Sequence, residues 1–97
     1  MKIEVKKFGT TLTSRQSGKE AFAAFQPTLR DVLEGEKVEV DFDGVITFSP
    51  SWGDEFLTPL LERYGDRVAL LNTSDNLSVK ATLHTLEKIH GKQFIRQ

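Results

Sequence analysis

The stretch that most constrains the fold runs from Val38 to Tyr64, VEVDFDGVITFSPSWGDEFLTPLLERY. Val38, Val40 and Phe42 alternate with Glu39 and Asp41, the period-two pattern of a strand with one buried face. Asp43-Gly44 is a turn dipeptide. Val45, Ile46 and Phe48 resume the apolar character. Ser49-Pro50-Ser51 then ends the strand, because proline cannot donate to a ladder. Phe56, Leu57, Leu60, Leu61 and Tyr64 fall on one helical stripe. Ser51, with Asp54 three residues on, reads as the N-cap of that helix in an S-x-x-D capping pattern. The stretch is therefore a strand, a small polar tip and a helix.

The flanks repeat this grammar. Lys2 to Phe8 alternates through Ile3 and Val5 and reads as a strand closed by Gly9. Thr10 to Thr13 reads as a short edge strand pairing back on it. Ser17-Gly18-Lys19-Glu20 is a capping box, opening a helix with the stripe Phe22, Phe25, Leu29, Val32 and Leu33 and a C-terminal end at Gly35. Arg15, Lys19, Gln26, Arg30 and Glu34 form its solvated face. Pro27 and Pro59 each predict a kink or a restart inside a helix. Val68 to Leu71 is a continuous apolar run, expected of a strand covered on both faces. After the polar loop Asn72 to Asn76, Val79, Leu83, Leu86 and Ile89 mark a third helix ended by Gly91. Gln93 to Arg96 reads as a last short strand. The order predicts one α/β domain over residues 1–97, with a mostly parallel or mixed sheet of about four strands, three main helices and right-handed crossovers.

Composition narrows the function classes. With 97 residues and a formal net charge of −1, the chain lacks the basic footprint expected of a nucleic-acid or anionic-membrane binder. It has no cysteine, so disulfides, thiolate chemistry and sulfur-based zinc sites are excluded. No apolar run approaches the ~20 residues of a membrane span. Strand-like alternation starts directly after Met1-Lys2, which argues against a signal peptide. The expectation is a soluble cytoplasmic protein without nucleic-acid or membrane partners.

Candidate functional residues crowd the tip. Ser49 and Ser51 sit where a phosphate would meet the free N–H groups and positive end of a helix; in structural terms Ser51 is a cap and Ser49 a turn residue. Asp41, Asp43, Asp54 and Glu55 cluster there too, but lack the dense spacing of a calcium loop, so no metal is expected. Trp52, one turn before Phe56, reads as partly buried at the helix start; in functional terms it is a residue type enriched at binding hot spots. His84 and His90 lie six apart on one helix, which is not the i, i+4 spacing of a metal pair, and both read as solvent-facing. G-x-S-x-G is absent, and no catalytic residue or cofactor is assigned.

The run DFDGVITFSPSWGDEFLTPLL resembles the central motif of the bacterial STAS-like domains, a branch related to the sulfate-transporter and anti-sigma-factor-antagonist domains. Asp41, Val45 to Phe48, Ser49-Pro50-Ser51 and the helix from Trp52 match its strand end, apolar stretch, small polar tip and helix opening. The resemblance extends over about Phe8 to Leu86. It implies a regulatory, non-enzymatic protein-binding module. In anti-sigma-factor antagonists a serine at this helix start is phosphorylated by a histidine-kinase-like ATPase, which releases the partner. Here Pro50 falls on the modified position, with Ser49 and Ser51 on either side. The implied contact surface is Asp43, Ser49, Ser51, Trp52, Asp54 and Glu55. The alternative is a small-ligand or nucleotide module using the helix N-termini after Ser51 and Asp75.

Overall fold

The computed structural model describes residues 1–96. Strand β1 (Lys2–Glu4) leads through a short 3-10 turn to β2 (Thr11–Leu12) and helix α1 (Arg15–Leu29). Strands β3 (Val38–Asp41) and β4 (Thr47–Phe48) precede α2 (Pro50–Tyr64). Then come β5 (Val68–Leu71), α3 (Leu77–His90) and β6 (Ile95–Arg96). The small α/β fold expected from the sequence is present. Its four-stranded sheet has the order β1-β3-β5-β6, and a separate two-stranded ladder joins β2 to β4. The sheet is parallel throughout rather than mixed. A helical crossover separates successive members of the main sheet, so each strand enters in the same direction.

Because that order runs one way, right-handed crossovers place all three helices on one face. Ile3, Val40 and Leu70 stand in register on this face, and each is fully buried. The opposite face carries Lys2, Glu39 and Ala69 in register. Thus β5 is not sandwiched between helix layers as its apolar run suggests. Ala69 is buried between the neighbouring positions Glu39 and Ile95, while Leu71 remains half-buried.

Several expected boundaries move. The Lys2–Phe8 strand breaks after Glu4, and Val5 turns inward to the core. The Thr11–Leu12 strand pairs with β4, not with β1. Helix α1 starts earlier than the capping box predicts, because the Ser14 hydroxyl accepts from Ser17 N–H and Ser17 lies inside the helix. It also ends earlier: Asp31 and Val32 N–H bond three residues back, and Leu33 is exposed rather than part of the stripe. Helices α1 and α2 each continue through their internal proline.

The core is aromatic on the helix side. Trp52 stacks on Phe56 with centroids 5.0 Å apart, and Phe8 and Phe25 pack edge-on at 5.8 Å. Such pairs add about 0.5–1.5 kcal/mol beyond area burial. Two glycines let the helices approach. A Cβ on Gly18 of α1 would lie 2.6 Å from the Trp52 carbonyl, and one on Gly53 would lie 3.0 Å from Leu86 of α3. The first contact is with backbone, which cannot swing away.

Candidate functional site

The site is built where β4 hands the chain to α2 and α3 begins beside it. Ser49 caps α2, not Ser51: its hydroxyl accepts from Trp52 N–H at 3.4 Å and donates to the Thr13 carbonyl at 2.7 Å. Pro50 decides the register. A proline favours the first helical position, where its missing N–H leaves nothing unsatisfied, and it holds the preceding residue extended. Ser49 has φ −110 and ψ 157, as that requires. Ser51 is therefore the second helical residue, half-buried at the rim, and Asp54 is not the partner of a capping box.

Asp54 and Glu55 instead receive Arg15 from α1, whose Nη1 lies 3.1 and 2.9 Å from their oxygens. The Arg15 guanidinium, then the Thr58 hydroxyl, hold the Asp54 carboxyl below the usual aspartate range against the opposing effect of burial. Thr58 donates to Asp54 at 2.9 Å and lies 3.0 Å from His90 Nε2. His84 and His90 are both exposed, as expected, but the His90 ring is tied to α2 through Thr58. Asp54 joins α1, α2 and α3, and neither Arg15 nor Thr58 was singled out by sequence. Arg15 looks like any solvated helix cation until α2 is laid beside it.

Asp41 lies at the C-terminal end of β3, nearly buried. Burial pushes its carboxyl up, but hydrogen bonds from Asn72, from Asp43 N–H and from Lys2 outweigh this and lower it. The Asn72 amide sits 2.7 Å away. Asp41 therefore organises the β3 and β5 ends and is not presented outward; Asp43 is exposed in the turn.

Helix α3 is capped by Asn76, immediately after Asp75. Its Oδ1 accepts from Ser78 and Val79 N–H, and its amide donates to the Val45 and Ile46 carbonyls. The donors that an anion would use at the α2 and α3 starts are thus already met in part by Ser49 and Asn76. The same Asn76 bonds hold Ile46 beside the start of α3, where Leu77 stands. Ile46 is 64% and Leu77 82% exposed. Trp52, by contrast, is fully buried, so its side chain is not available for the surface contact the sequence suggested. Its burial follows from its position on the stripe with Phe56, one turn on, against Phe8 and Phe48. No cluster of three or more His, Asp or Glu among the described residues is placed to hold a metal ion.

The model of a family described as a STAS-like domain of unknown function, DUF4325, matches residues 18–78. That span is well over half of the chain and contains the whole junction. The chain belongs to this STAS-like family. STAS-like domains are in general binding modules rather than enzymes, and they mediate protein contacts. The family match begins inside α1 and stops at the second residue of α3, so β1, β2, the body of α3 and β6 lie outside it. No curated protein and no solved structure matches the chain. No described helix of this STAS-like domain is long and apolar enough to cross a membrane.

Proposed function

We propose that this STAS-like domain is a regulatory module that binds a protein partner through the rim formed by Ile46, Pro50, Ser51 and Leu77, with Asp43 beside it. The observation that carries the reading is the exposure of Ile46 and Leu77, two large aliphatic residues on segments that the Asn76 side chain joins next to a helix start. Single exposed apolar residues need no explanation, but two on adjoining segments beside polar groups suit a contact surface. In this reading Ser51 is the phosphorylation switch and the partner is of the histidine-kinase-like ATPase class. The Ser49 hydroxyl is already engaged on both sides, which makes it the poorer acceptor. A phosphate on Ser51 would bring about −1.5 to −2 charges to the rim. Asp54 and Glu55, one turn on, are neutralised in part by Arg15, which limits repulsion within the domain. The larger effect then falls on the partner, which would have to desolvate the phosphate against its own apolar surface.

The test is a pull-down from native lysate with wild type, Ser51→Asp and the pair Ile46→Asp/Leu77→Asp, with phosphopeptide mass spectrometry of the purified protein. A specific protein retained by wild type and lost by both variants supports the reading. The same partners on all three baits would overturn it.

A further inference from the structure

A second site lies on the far half of α2, away from the rim, and it starts from a proton count. Thr58 has one hydroxyl proton but two close partners, Asp54 Oδ1 at 2.9 Å and His90 Nε2 at 3.0 Å. Asp54, held ionised by Arg15, can only accept, so the Thr58 proton points to it. The Thr58 oxygen must then accept from His90, so Nε2 carries a proton. A neutral His90 is therefore the Nε2–H tautomer, with Nδ1 a bare acceptor.

Beside this network is a cavity of about 200 Å³ lined by Thr58, Leu61, Glu62, His90, Lys92 and Phe94. Leu61 and Phe94 are buried and supply an apolar wall. Glu62 and Lys92 supply one charge of each sign. The C-terminal end of α3, which closes at His90, adds the partial negative charge of the helix dipole. The volume is below the roughly 300 Å³ at which sites for drug-sized ligands begin. It is too small for a nucleotide and suits a molecule of a few carbon atoms.

We infer that this cavity binds a small aliphatic α-amino acid, its ammonium toward His90 Nδ1 and Glu62, its carboxylate toward Lys92 and its side chain against Leu61 and Phe94. A plain anion would meet Glu62 and the helix C-terminus, and a plain amine would meet Lys92. A zwitterion with an apolar side chain matches both charges, the His90 acceptor and the apolar wall together.

The experiment is an amide-resolved NMR titration of the full chain with L-leucine, with isoamylamine and 4-methylpentanoate as the two half-ligands. Leucine at millimolar concentration should shift the amides of residues 58–62 and 90–94. Each half-ligand, and each of the exposed-site variants Glu62→Gln and Lys92→Gln, should bind about tenfold more weakly. Unchanged spectra elsewhere show that the variants are folded. No shift with leucine, half-ligands as good as leucine, or both variants binding like wild type would each overturn the assignment. Because the rim is not involved, the outcome is independent of the partner-binding experiment.

Discussion

Asp54 Oδ1 and His90 Nε2 lie 3.6 Å apart, with the Thr58 hydroxyl in contact with both. The three side chains come from the middle of α2 and the last residue of α3, so they pin the end of one helix to the other. Thr58→Val keeps the shape of the side chain and removes both bonds. It should lower stability by about 1 kcal/mol in urea. Nitrogen NMR of the His90 ring should show the Nε2–H form in wild type at a pH where the ring is neutral, and a loss of that preference in the variant. An Nδ1–H ring in wild type would mean that the proton order is reversed.

Gly18→Ala sets two effects against each other. Alanine is the better helix former by about 1 kcal/mol. The added Cβ would, however, sit 2.6 Å from the Trp52 carbonyl, so α1 and α2 must separate. Overpacking of this kind costs about 1–3 kcal/mol, and here it has no flexible side chain to displace. The clash should win and the denaturation midpoint should fall. A raised midpoint would place the two helices further apart than described.

Ser49→Ala should cost about 1 kcal/mol, the usual loss for an N-cap, and more if the bond to Thr13 is worth a further share. Ser51→Ala should be close to neutral. Chemical denaturation of the two variants side by side checks the register of the junction; the reverse order would restore Ser51 as the cap.

Asp41→Asn reports on acid stability. The folded-state carboxyl lies below its unfolded value of about 3.9. A depressed acid contributes stability above the unfolded value and loses it as pH falls through the folded one. At neutral pH the wild type should therefore be the more stable protein. The gap should shrink as pH drops below about 4 and close below the folded value. A gap independent of pH would mean that the asparagine loses packing rather than charge.

The strand cores and helix stripes were legible because burial writes them as patterns: Val38 to Asp41 by period two, Val68 to Leu71 as a continuous apolar run, and the Phe56–Leu60–Tyr64 stripe by period 3.6. Helix starts were less legible. Ser14 and Ser17, and likewise Ser49 and Ser51, are chemically equivalent caps, and the choice between them depends on which backbone bends. At the junction Pro50 held that information. The burial of Trp52 was readable only in part, since a stripe says which face turns inward but not how deep its first turn lies. The links from Arg15 to Asp54 and from Thr58 to His90 join positions 39 and 32 residues apart. Nothing local encodes them; they exist only once α1 and α3 are packed on either side of α2.

The most direct test of the proposed contact surface is hydrogen–deuterium exchange on the complex with whatever partner wild type retains from lysate. The predicted result is protection on binding confined to residues 45–51 and 76–78, with residues 58–62, 90–94 and the helix-free face of the sheet unchanged. Protection on β1 and β6, or around the Thr58 cavity, with the Ile46 and Leu77 segments exchanging as in the free protein, would contradict it.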